Sequence, residues 1–129
     1  MSVLKVNAGT SGSPEWVPIV ALPQYFPRVT STASTATLTV NVATTDLAAL
    51  TAQAAGLTVA APTGTAQDGQ SLLIRIKDNG TARAISWNAA FRGIGVVLPT
   101  STVVSKLMYV ASKWNSADSK WDVLAVGQE

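Results

Sequence analysis

From residue 71 to residue 77, large aliphatic side chains fall on every second position. Leu72, Ile74 and Ile76 alternate with Leu73, Arg75 and Lys77, and the run stops at Asp78-Asn79-Gly80. A period of two sends successive side chains to opposite faces of an extended chain, so this stretch is committed to a strand with one buried face. Asn-Gly tolerates positive φ at both central positions of a tight turn, and the pattern predicts a β-hairpin returning over residues 81–87. A second hairpin is expected from residues 103–114 and 121–126 around a polar turn at 115–120, with Trp114 and Trp121 paired across it. Thr35, Thr37 and Thr39 alternating with Ala36, Leu38 and Val40, followed by Asn41, Val42 and Ala43, predict a strand, and residues 57–60 a shorter one. Residues 46–55 admit a short helix, because Leu47, Leu50 and Ala54 share a helical face; they are read here as a strand ending near Gln53. Turn-forming residues make 62–69 a surface loop. Gly93, Gly95 and Pro99 break 88–102 into a connection with a short extended piece at 94–98. Many short strands with almost no helix predict an all-β fold, an antiparallel β-sandwich or jelly roll.

The first 34 residues are of another kind. Pro14, Pro18, Pro23 and Pro27 exclude a regular helix and hold their preceding residues extended. Trp16, Ile19, Leu22, Tyr25 and Phe26 nevertheless give the segment too much apolar surface for an idle linker. The expected organisation is an extended arm over residues 1–34 and a β-domain over 35–129. Those five residues are the candidate partner-binding set, because aromatic anchors on an extended segment dock at low entropic cost; the alternative is that the arm covers its own sandwich and they belong to its core.

Composition narrows the chemistry. The 129 residues include no His and no Cys, which removes imidazole bases, thiol nucleophiles, disulfides and nearly all zinc or haem ligation. A formal charge of +2 gives no bulk electrostatic drive toward nucleic acid. No apolar run approaches the roughly 20 residues that cross a bilayer, and the start lacks the form of a secretory signal, so a soluble, unexported chain is expected. Asp68, Asp78 and Asp118 sit in turn sequences, where such residues bond backbone, and no acidic run at alternate positions suggests calcium. Ser105-Lys106 and Ser112-Lys113 are strand neighbours pointing to opposite faces. Gly93-Ile94-Gly95 lacks the third glycine of a nucleotide loop. No catalysis, cofactor or metal is expected. Arg75, Lys77, Arg83 and Arg92 are read as a solvated sheet face or as ion pairs.

What remains is surface. Only 12% of residues are charged against 47% hydrophobic, and residues 29–67 carry a single charge, Asp46. Exposed strand edges are normally guarded by charge or proline. An edge in this half of the chain is unguarded and is expected to be covered by oligomerisation.

The segment LTVAAPTGTAQDGQSLLIRIKDNGTARAISWNAAFRGIGVVLP and the ending YVASKWNSADSKWDVLAVGQE resemble a β-sandwich domain of tailed-bacteriophage virion proteins, found in fibres, tail proteins and head-attached proteins. Its most distinctive pieces are Asp68-Gly69-Gln70, the run from Ile74 to Arg83, and Lys120-Trp121-Asp122-Val123. The resemblance implies a virion structural protein without catalysis, and suggests a homo-oligomer, a trimer. A chain complete at this length, with an extended arm, is expected to be a capsid decoration (cement) protein. Its partner would be the major capsid protein, and it would be made in the host cytoplasm and located on the capsid surface. The alternative is a tail or fibre component binding a host-surface glycan through its tryptophans. No site residue is carried over from the resemblance.

Overall fold

The computed structural model describes residues 26–129 and, upstream of them, the backbone pairing of β1 (Lys5–Asn7) with β2 (Trp16–Pro18), antiparallel in a sheet of their own. From there the chain alternates between two sheets. β3 (Val29–Thr32), β5 (Leu47–Gln53) and β7 (Ser71–Asp78) go to a six-stranded sheet, while β4 (Thr37–Leu38), β6 (Leu57–Val59) and β8 (Ile85–Trp87) form a three-stranded one. Each return lays the new strand parallel to its predecessor: Val29 lies opposite Leu47 and Leu47 opposite Leu73, and in the smaller sheet Leu57 lies opposite Ile85. Parallel neighbours need a long crossover. Here a strand of the other sheet supplies it, and no helix occurs among the described residues.

The winding then closes with β9 (Phe91–Gly93), β10 (Leu107–Asn115) and β11 (Lys120–Gln128), which complete the large sheet in the order β3-β5-β7-β10-β11-β9. β10 is antiparallel to both β7 and β11, and β9 is parallel to β11. The all-β expectation is met, but in mixed sheets. Among the described strands outside β1–β2, antiparallel pairing holds only for the two partners of β10, beside one isolated antiparallel bridge between Ala84 and Ser101.

The first predicted hairpin does not form. Both of its strands exist, but β7 pairs with β5 and β10 while β8 pairs with β6 in the other sheet. The turn is held by other bonds: the Asp78 carboxylate accepts the Gly80 N–H at 2.8 Å, and Asn79 N–H donates to the Gln53 carbonyl of the neighbouring strand. Gly80 takes a positive φ of 117° and Asn79 does not, so the paired left-handed turn is absent and the chain crosses between sheets. The second hairpin does form, with Trp114 opposite Trp121 and ring centroids 5.3 Å apart. The strand expected over 35–43 shrinks to Thr37–Leu38, and the large sheet takes its first strand earlier, at Val29. In place of the extended piece at 94–98, the strand in this connection is Phe91–Gly93.

One hydrophobic cluster joins the two sheets. Leu50, Leu72, Ile74, Ile76, Met108, Val110 and Val123 come from the large sheet, and Leu57, Val59 and Ile85 from the small one. The alternation along β7 is kept, with Leu72, Ile74 and Ile76 each 1% exposed. Full burial of each such side chain contributes roughly 1.5–3 kcal/mol.

Candidate interaction surface

The two ends of the large sheet are finished differently. At the β9 end, Arg92 Nε donates to Asp122 at 2.8 Å and its Nη2 to Asp118 at 2.9 Å, while Asn115 donates to both carboxylates. The two carboxylates hold the Arg92 guanidinium further above its already high ordinary pKa, so the charge is permanent. This edge is three residues long and carries charge, the usual way of keeping strands from adding to a sheet.

Among the described residues the β3 end has no such guard. Val29, Thr30, Ser31 and Thr32 are all exposed, pair on one side only, and begin a run without a charged residue through Thr45. The strand is nonetheless held firmly. Arg28, just before it, grips Asp46 with Nε and Nη2 at 3.0 and 2.8 Å, and its own N–H donates to the same carboxylate at 2.8 Å. The Thr30 and Thr45 hydroxyls share a hydrogen bond of 2.7 Å. Just downstream, the buried Gln53 amide accepts from Thr35 N–H and donates to the carbonyls of Thr35 and Ala55. Between the sheets at this end lies a cleft of about 170 Å³, lined by Thr30, Thr32, Leu38, Val40, Thr45 and Ala48 among others. Among the described residues, nothing covers the core on the side where β3 and β4 are the last strands.

An apolar row crosses the outer face of the same sheet. Register places Val29, Leu47, Leu73, Ala111 and Ala125 side by side on five adjacent strands. A bulge in β11 at the level of Ala111 and Ser112 adds Leu124, 50% exposed. Beside this row Arg75 lies over the Tyr109 ring at 5.8 Å.

Of the five candidate partner-binding residues, Trp16, Ile19, Leu22 and Tyr25 lie outside the described residues, with only the backbone pairing of Trp16 given. Phe26 is described and is 72% exposed, two residues ahead of Arg28. The basic residues form no single patch: Arg92 binds Asp118 and Asp122, Lys77 lies 3.9 Å from Glu129, and Arg75 contacts Tyr109. Asp78 is buried and receives hydrogen bonds from Thr102, Ser105 N–H and Gly80 N–H. Burial pushes its pKa up, but these donors together with nearby Arg83 outweigh burial and hold it below the ordinary value. Among the tryptophans, Trp121 is 2% exposed within the core, Trp114 packs on it, and the Trp87 indole donates to the Pro99 carbonyl at 2.7 Å. Among the described residues no three acidic side chains cluster as a metal site.

Sequence reasoning missed the Arg28 clip and the Gln53 anchor. It did mark the uncharged run. No family model matches the chain, and neither the curated proteins nor the solved structures give a match.

Proposed function

We propose that this chain is a structural protein of a tailed-bacteriophage virion, a capsid decoration protein that lies on the outer head surface and bridges capsomers, with the major capsid protein as its partner. In this reading the two sheets act as a β-sandwich, a stiff body from which the N-terminal arm reaches out. The observation that carries the proposal is the junction at residues 26–32. There an exposed Phe26, an Arg28 held by Asp46 and a strand edge without charge or cover among the described residues follow one another, where the first 25 residues join the β-domain. The sequence resemblance supplies the virion context. A ligand that binds only the assembled shell stabilises it by mass action, and several weak contacts on one oligomer reinforce each other.

The test is binding to undecorated mature capsids. The full chain is expected to saturate the capsid surface and raise the temperature at which the shell releases its contents. Removing residues 1–25 retains Arg28 and its grip on Asp46. The shortened chain should keep its β circular dichroism but bind capsids about tenfold more weakly or worse. Failure of the full chain to bind at saturating concentration overturns the proposal.

A further inference from the structure

We propose that the β3 edge is a self-association surface, on which a second copy of this chain adds its own β3 in antiparallel pairing across a two-fold axis at Thr30. The inference stands apart from the capsid reading, because it concerns the isolated chain.

The phase of hydrogen bonding identifies which groups are offered. The Arg28 carbonyl accepts from Leu47 N–H, and Val29 lies opposite Leu47. In a ladder of that phase Thr30 and Thr32 turn their N–H and C=O groups toward β5, and Val29 and Ser31 turn theirs outward. No hydrogen bond to another described residue takes up the backbone groups of Val29 or Ser31 on that side.

Face parity limits the partner register. Val29 and Ser31 belong to the outer face and Thr30 and Thr32 to the inner, since they lie opposite Leu47, Ala49, Ala48 and Leu50 respectively. Joining two copies with their cores on the same side requires outer residues to oppose outer ones. A two-fold axis at Thr30 does this: Val29 meets the partner's Ser31, Ser31 meets the partner's Val29, and both pairs consist of residues whose backbone groups point outward. All of those groups are then satisfied. An axis at Ser31 would set Val29 against the partner's Ala33, whose carbonyl already accepts from Ala52 N–H.

Identical edges usually repel or are blocked; among the described residues this one does neither. No charged side chain occurs from Val29 to Thr45, so two copies meet without like charges along the seam. The same operation brings the two clefts lined by Thr30, Thr32 and Leu38 to one seam, and sets the two rows that begin at Val29 two residues out of step across it. An isologous contact of this kind closes on itself and leaves the charge-guarded β9 edges outermost.

The chain has no cysteine, so single-cysteine variants read the register directly. At a non-hydrogen-bonded antiparallel pair the Cβ atoms lie about 4.5–5.5 Å apart, close enough for a disulfide after slight adjustment. Sedimentation of the full chain is expected to give a dimer. Mild oxidation should convert most of Thr30→Cys, but little of Thr32→Cys, to a covalent dimer. Ser31→Pro removes an outward N–H from each copy without touching β5, and should raise the dimer dissociation constant about tenfold or more. Val29→Lys, on an exposed position, should do the same by charge, with unchanged circular dichroism in both variants. A monomer at millimolar concentration, a trimer, cross-linking of Thr32→Cys in preference to Thr30→Cys, or a dimer indifferent to both Ser31→Pro and Val29→Lys would each overturn the inference. Capsid binding by a strictly monomeric chain would overturn it while leaving the proposed function standing.

Discussion

Gln53 and Asp78 occupy equivalent places in successive windings. They lie opposite each other in register at the ends of β5 and β7, where the chain leaves the large sheet for the small one, and both side chains are buried. Yet one corner is tied by a neutral amide and the other by a carboxylate. Gln53 reaches back to Thr35 and forward to Ala55, binding the first winding to the second. Asp78 gathers Gly80, Thr102 and Ser105, binding the third winding to the loop that leads into β10. A corner needing both a donor and an acceptor suits an amide, whereas one converging three donors suits an anion. One corner thus rests on a group indifferent to pH, and its neighbour on one that can be neutralised.

A change to the core beneath both corners should remove the distinction between them. Ile74 is 1% exposed and central in the large sheet, so Ile74→Asp buries an unpaired carboxylate at a cost of several kcal/mol, comparable to much of a domain's stability. No cooperative thermal unfolding is expected from that variant. Its neighbour Leu73, half-buried in the outer row, tests the face assignment: Leu73→Asp should fold and unfold cooperatively. Similar behaviour of the two variants would show that the sheet's inner and outer faces are misassigned.

That alternation was legible because it depends on neighbouring residues alone. So was the β10–β11 hairpin, whose register needs only a short polar turn and two tryptophans. Asn79-Gly80 misled for a physical reason: its turn preference was overridden by the preceding carboxylate, whose other partners, Thr102 and Ser105, are more than twenty residues away. Parallel winding was equally hidden, since the alternation of Leu72, Ile74 and Ile76 is the same whichever way the neighbouring strand runs. Gln53 gave no signal, standing among alanines and threonines where any polar residue reads as solvent-facing. The interaction surface was half legible. Its lack of charge is a property of composition, but the outward direction of the Val29 and Ser31 backbone groups emerges only from pairing with β5.

A smaller effect separates the corners themselves. Gln53→Ala strands the Thr35 N–H and carbonyl and the Ala55 carbonyl, some of them near water, and should lower stability by about 2–4 kcal/mol. Hydrogen exchange should rise first at Thr35 and along β3 and β4, while the amides of β10 and β11 stay protected until global unfolding. Uniform loss of protection would mean that the amide supports the whole core and not the open end.

The smallest effect is the one that depends on pH. Hydrogen bonds and Arg83 hold the Asp78 carboxyl below its ordinary value of 3.8 despite burial. A depressed folded pKa means that the unfolded chain takes up the proton more readily, so the contribution is complete above the ordinary value and is lost as pH falls through the lower folded one. Acidification below about 4 should therefore loosen the loops at 79–83 and 102–105 before it reaches the corner at Gln53. Asp78→Asn exchanges an acceptor oxygen for a donor amide, so it should be less stable than the parent at neutral pH, and its stability should fall less steeply on the acid side. If the two proteins instead lost stability in parallel between pH 5 and pH 2, the Asp78 carboxylate would not be the source of the acid sensitivity.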